Sequence, residues 1–267
     1  MGADIKQLRI RIKSVDSTMH LTKAMGLVAS SKIRRATEAM NRGKEYASAL
    51  EETVSQLTAC EECKKSPYMA VRKGEKTCLV VVAGDRGMAG GYNANIFRML
   101  REYPDATVIP VGKRAHDRFA GKLLLAEDFS YADAKEIADT LCASFADGAY
   151  DRVGILCTRY HSMMSQEAYV KWLLPLERTE AKRAVSAVFE PDEITVLSAV
   201  IPEFVAGMLV SAVKESFASE VAARRVAMDN AGKNAQEMID RLSLEYNRAR
   251  QGAITQEITE IVAGSGA

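Results

Sequence analysis

From residue 5 to residue 57, apolar and small side chains recur at alternating steps of three and four. The positions are Ile5, Leu8, Ile12, Val15, Met19, Thr22, Gly26, Ala29, Ile33, Ala36, Met40, Gly43, Ala47, Leu50, Val54 and Leu57. The residues between them are rich in Lys, Arg, Glu, Gln and Ala, which favour helix, and no proline occurs before Pro67. A 3.5-residue period predicts one long helix whose seam winds left-handedly on a partner helix. At about 1.5 Å per residue it would run for roughly 80 Å, too long to stand alone. The small side chains between Thr22 and Ala29 let a partner backbone come close.

The other chain end supplies a partner. From Pro202, tolerated in a first helical turn, to about residue 262 there is no further proline. Leu209, Ala212, Ala223, Ala227, Ala231, Ala235, Met238, Leu242, Ala249 and Ala253 mark a second stripe, with a frame that drifts more than the first. Gly207, Gly232 and Gly252 each cost about 1 kcal/mol in a helix relative to Ala, so packing must offset them. The economical arrangement is an antiparallel coiled coil of residues 1–60 with 202–264, forming one discontinuous shaft.

Between the two helices the period changes. Short apolar runs at 77–83 (TCLVVVA), 106–111 (ATVIPV), 152–157 (RVGILC) and 167–174 (EAYVKWLL) read as strands. Helical patterns lie at 93–102, 114–120 and 133–145. Alternating strands and helices predict a small three-layer, Rossmann-like α/β domain with a mostly parallel sheet over residues 70–195. The fold class is therefore α/β with long helical extensions.

Composition adds a compartment and a polarity. The 267 residues are 48% hydrophobic and 27% charged, ordinary for a soluble globular protein. Net charge is +1, which points to no nucleic-acid partner. Residues 1–50, however, carry ten Lys/Arg against four Asp/Glu, so one end is basic. No leader with a cleavage site and no uncharged apolar run of 18 residues is present, which predicts a protein of the reducing side of a membrane, without direct insertion.

Cys60, Cys63, Cys78, Cys142 and Cys157 are odd in number and scattered, unlike a disulfide framework. Cys60 and Cys63 form a lone C-x-x-C with two acids between the thiols, which disfavours thiolate. His20, His116 and His161 offer no spacing that would complete a metal site.

The stretch GDRGMAGGYNAN, residues 84–95, invites comparison with phosphate loops. Its spacing is G-x-x-G-x-x-G-G, not G-x-G-x-x-G; no acid closes the second strand, which ends in VGKR; and no Lys follows the glycines. The reading favoured is a tight strand-to-helix turn with close helix packing. His161, at the end of a strand, is the best candidate for a general base, but no nucleophile and acid accompany it. Asp85 and Arg86 read as an ion pair or cap.

Four stretches, VDSTMHLTKAMGLVASSKIRRA, GDRGMAGGYNAN, SEVAARRVAMDNAGKNA and YNRARQGAITQEITEIVAG, resemble those of the gamma subunits of F-type ATP synthases. The resemblance runs in order from residue 4 to 264. The chain is somewhat short for that family, with the shortening in the middle, and lacks the cysteine-bearing insertion of the plastid form, so Cys60 and Cys63 are not read as that thiol switch.

The resemblance implies a rotor shaft without catalytic residues, cofactor or metal. Its partners would be the alpha and beta subunits of the catalytic ring, the epsilon subunit and the membrane c-ring, at the cytoplasmic face of the bacterial inner membrane. Position by position, Met25 matches the family's contact with the beta subunits, with Lys23, Arg34 and Arg35 as charged neighbours. Arg250, Gln251 and Thr255 match its catch contacts near the top of the shaft. The competing reading of each is a solvated helix face. A shaft turning in a sleeve should also present small or charged groups outward, not large apolar anchors. Two other classes stay open: a nucleotide-binding α/β enzyme and a coiled-coil adaptor.

Overall fold

The computed structural model describes residues 2–72, 74, 76–178 and 189–265. Helix α1 spans Gly2–Ala59. Every described position of the predicted seam is buried or half-buried, and Met19, Thr22, Ala29, Ala36, Met40, Ala47, Val54 and Leu57 are fully inside. The 3.5-residue period therefore reports the packing face directly.

Helix α5 spans Glu193–Ser265, starting before the Pro202 expected to open it. The physical cause is a cap: the Asp192 carboxylate accepts hydrogen bonds from the Thr195 N–H and hydroxyl, both at 2.8 Å. Pro202 thus sits inside the helix, where the burial of neighbouring Leu197, Ile201, Val205 and Leu209 offsets the lost backbone bond. An 18-residue window of α5 reaches a mean hydropathy of 2.0, and 61% of it is buried, as suits a core helix.

The chain forms two compact units, residues 31–223 and residues 1–30 with 224–267. The part of the expected globular segment at 179–188 lies outside the described residues. In the smaller unit α1 and α5 run antiparallel, with Gly26 against Arg225 and Met228 and Gly232 against Thr22. On α5, where residues 224–227, Ala231 and Ser243 are also half-buried, the buried or half-buried positions recur at Met228, Gly232, Ala235, Ile239, Leu242, Tyr246, Ala249 and Ala253. These steps of four and three make a regular seam. Met238, assigned to the stripe from sequence, is 43% exposed; Ile239 takes its place.

Gly26 gives a test of that seam. An added Cβ would meet Arg225 Nη1 at 3.1 Å and Met228 Cβ at 3.6 Å. The guanidinium can move aside, so Gly26→Ala should be neutral or slightly stabilising, because Ala recovers up to about 1 kcal/mol of helix propensity. Gly26→Leu should lose about 1–3 kcal/mol through overpacking. Urea unfolding of the full chain checks both; a Leu variant as stable as the Ala variant contradicts the close approach.

The larger unit holds β1 (Thr77–Val82), α2 (Tyr92–Leu100), β2 (Thr107–Val111), α3 (Lys113–His116), α4 (Tyr131–Ala146), β3 (Arg152–Tyr160) and β4 (Gln166–Leu174). Sheet order is β2-β1-β3-β4. β1 pairs in parallel with β2 and β3, whereas β4 returns antiparallel on β3. Pro110 is tolerated because β2 is an edge strand.

Period-two alternation divides the sheet faces. Cys78, Val80, Val82, Val153, Ile155 and Cys157 pack with α4 and the adjoining stretches of α1 and α5. Leu79, Val81 and Leu156 pack with Ile96, Phe97 and Leu100 of α2 and Ala115 of α3. Helix α4 starts with a capping box, Ser130 and Asp133 each accepting from the other's backbone N–H. In this unit α1 and α5 are also antiparallel: Gly43 lies against Ser211, and Gly207 against Leu50 and Tyr46.

Candidate functional site

The glycine loop follows β1 directly. Met88 and Gly90 both have φ of 58°, so the turn uses left-handed backbone and then enters α2. Its backbone N–H groups already hold an anion, the protein's own. Glu220 of α5, 1% exposed, accepts from Asp85 N through Oε2 and from Arg86 N through Oε1, each at 3.3 Å. Gly84 N donates to Asn93 Oδ1 at 2.9 Å. A phosphate would have to displace a buried carboxylate, which supports the structural reading of this loop.

Asp85 works in the opposite direction. Its carboxylate accepts from Lys113 N at 3.2 Å, Ala126 N at 3.0 Å and Glu127 N at 2.9 Å. It is a cap, as expected, but for two neighbouring segments at once. Arg86 Nη2 lies 3.9 Å from Glu127 Oε2, and Lys32 meets the same carboxylate through Oε1.

The same helix closes the C-terminal end of β3. Tyr160 N donates to Glu215 Oε1 at 3.0 Å and Thr158 N to Ser216 Oγ at 3.0 Å, while Ser219 Oγ reaches Thr158 O at 3.5 Å. Tyr92 Oη donates to Ser216 O at 3.0 Å, and burial pushes its phenol up, further raised by Glu220. Open α/β sheets bind ligands outside the carboxyl ends of their strands. Here the ends of β1 and β3 carry hydrogen bonds to four side chains of α5.

A cavity of about 480 Å³ beside β3 is lined by Lys44, Arg159, His161, Lys171 and Glu215, and its polar side chains already have partners. Lys44 pairs with Glu215 at 2.8 Å, Lys171 with Glu51 at 2.6 Å and His161 with Glu167 at 3.1 Å, and Arg159 stacks 4.2 Å above the Tyr169 ring. His161 thus belongs to an exposed hairpin turn. All five cysteines are free. Desolvation first, then nearby charges including Cys60, pushes the Cys63 thiol up to about 11, and burial pushes Cys142 and Cys157 up to about 12; thiols so disposed are poor nucleophiles near neutral pH. Among the described residues, no three His, Cys, Asp or Glu side chains gather as a metal site would require.

The residues singled out by resemblance occupy separate places. Met25 is half-buried and Lys23 exposed beside a cavity of about 480 Å³ lined also by Thr22, Gly26, Arg225 and Lys233. Arg250, Gln251 and Thr255 are exposed on α5. Since Thr22 faces Gly232, those three lie roughly 30 Å further along the helix. Thr255 Oγ1 donates to Gln251 O at 2.9 Å. Arg34 and Arg35 belong to the larger unit and are exposed, with Arg34 3.9 Å from Glu38.

Two features escape a reading by seam alone. Counting from the Thr22–Gly232 contact, α1 runs out where α5 reaches Gly252. Beyond it Ile254, Ile258, Ile261 and Val262 are 46%, 56%, 70% and 64% exposed. Their spacing of four, three and one is an amphipathic signal in the sequence. Second, the outer face of α1 carries Ile10, Leu21, Leu27 and Val28, all more than half exposed, correcting the expectation of a face limited to small and charged groups.

Comparison with known proteins follows the same architecture. Residues 4–267 match the family described as ATP synthase. The chain is 37% identical over 279 residues to the ATP synthase gamma chain of Moorella thermoacetica, covering 99% of both. It is 39% identical over 281 residues to that of Ruminococcus albus, covering 98% of both. The sodium ion specific ATP synthase gamma chain of Acetobacterium woodii is 36% identical over 300 residues, covering 100% of this chain and 99% of that one. In fold, the chain is similar to one in the cryo-EM structure of Euglena gracilis mitochondrial ATP synthase, with TM-score 0.77, 23% identity and coverage of 100% and 95%.

Proposed function

Because this chain belongs to the ATP synthase gamma-chain family, we propose that it is the central rotor shaft of an F-type ATP synthase. It couples ion flow through the membrane rotor ring to sequential changes at the catalytic sites of the beta subunits. It is a non-catalytic subunit; alpha and beta form the ring around it, and epsilon and the c-ring hold its globular part at the cytoplasmic face of the bacterial inner membrane. The observation that carries this reading is the full-length family match on a chain whose sheet ends are filled by its own helix, leaving the long helices as the working surface.

Three surface features support the ring contacts. Residues 1–50 carry ten basic against four acidic side chains, which favours approach to acidic loops without requiring a pocket. Lys23 lines a groove opened by Gly26, and half-buried Met25 precedes that glycine in the helix. The isoleucine stripe of α5, on the same stretch as Arg250, Gln251 and Thr255, supplies the apolar bearing. Shifting a two-state site from 1:99 to 99:1 takes about 5.5 kcal/mol of differential contact, within reach of such a set.

Reconstitution tests the reading. Combined with alpha, beta and epsilon subunits and a membrane sector lacking its own gamma, the chain should restore ATP-driven ion pumping; a chain that elutes apart from the ring overturns it. In the same assay Gln251→Ala with Thr255→Ala should lower pumping severalfold. Its effect on subunit stability should stay within about 0.5 kcal/mol, because both side chains are on a helix surface. Undiminished pumping in the double variant removes these two residues from the interface.

A further inference from the structure

We propose that Glu220 fastens the globular sheet to helix α5, so that load on the sheet enters the helix through a buried carboxylate; the inference rests on the rotor reading. Apolar packing between a helix and a sheet is non-directional and resists separation better than sliding. Hydrogen bonds are directional and oppose sliding as well. A part that transmits torque experiences that sliding load where helix meets sheet.

The geometry suits a fastener. The two oxygens of Glu220 fork onto successive backbone amides, Asp85 and Arg86, immediately after β1. From there the Asp85 carboxylate reaches Lys113 N, Ala126 N and Glu127 N, so one side chain of α5 is linked to three separate segments at the sheet's end. Gly84 makes room for it: a Cβ there would meet Glu220 Cδ at 2.9 Å. Glutamine cannot replace this fork, because its amide offers one acceptor oxygen and turns two donors toward backbone donors.

The test uses the assembled complex in inverted membrane vesicles. Glu220→Gln should leave ATP hydrolysis with an uncoupler within about twofold of wild type, while pumping against an established ion gradient falls about fivefold or more, the low end of a typical coupling energy. Amide exchange at Asp85 and Arg86 within the complex should quicken. Gly84→Ala, which displaces the carboxylate without removing it, should reproduce the pattern. Should Glu220→Gln not assemble, Glu220→Asp, which retracts the charge by one methylene, takes its place. Wild-type pumping under load overturns the proposal, as does an equal loss with and without load, which marks general destabilisation. Failure of the unmodified chain to restore pumping counts instead against the rotor reading.

Discussion

Gly112→Ala is expected to lose roughly 3–5 kcal/mol, a large fraction of the ~5–15 kcal/mol that holds a typical protein folded. Gly112 stands between β2 and α3 at φ +88° and ψ 146°, a region that only glycine occupies freely, at a cost of about 1–3 kcal/mol for other residues. Sterics make the position worse. An added Cβ would lie 2.0 Å from Ala83 O and 2.8 Å from Ala83 C. Those are backbone atoms of the segment continuing β1, anchored by Ala83 N donating to Val111 O at 2.9 Å. They cannot rotate away, so overpacking adds about 1–3 kcal/mol.

Gly112 is itself held in place, its N–H donating to Leu124 O at 2.7 Å and its carbonyl accepting from Ala115 and His116. Urea unfolding followed by circular dichroism gives the number, with Gly26→Ala as the tolerated control. A Gly112→Ala midpoint equal to wild type contradicts the argument.

The contrast between these glycines explains what the sequence disclosed. A heptad is written in consecutive residues, so the α1 seam could be read position by position from Ile5 to Leu57. The α5 seam passes through Gly232, Tyr246 and, opposite Gly26, Arg225, residues that seldom mark a seam; the apolar frame therefore drifts in the sequence, and Met238 falls outside the seam it suggests. The start of α5 was set by a cap at Asp192 and by burial against the sheet, both stronger than the signal of Pro202.

Strand positions were legible from apolar runs, but β4 carries half-buried side chains on both faces, and nothing in its pattern states direction. The glycine loop could be recognised as a turn. Its partner could not, because Glu220 lies 135 residues from Asp85 and reads locally as one more charged helix residue. The ring contacts rest on resemblance, since exposed residues such as Gln251 and Thr255 obey no internal packing rule.

Asp85 ties the loop after β1 to two segments remote in sequence, and removing its carboxylate should be the second most damaging change. Asp85→Ala leaves Lys113 N, Ala126 N and Glu127 N without their acceptor. An unsatisfied buried donor costs about 1–3 kcal/mol. Asp85 is itself only half-buried, so water recovers part of this, and a net loss of roughly 2–4 kcal/mol is expected.

Asp85→Asn should recover less than half of the difference, because one amide oxygen cannot replace two carboxylate oxygens and the amide NH₂ faces other donors. Hydrogen exchange then separates a cap from a remote effect. The three amides should exchange faster in both variants, while the seam of α1 with α5 in the smaller unit keeps its protection. A loss below about 1 kcal/mol in Asp85→Ala, or acceleration spread evenly over the chain, would mean that these segments are held by packing and that the carboxylate merely decorates the loop.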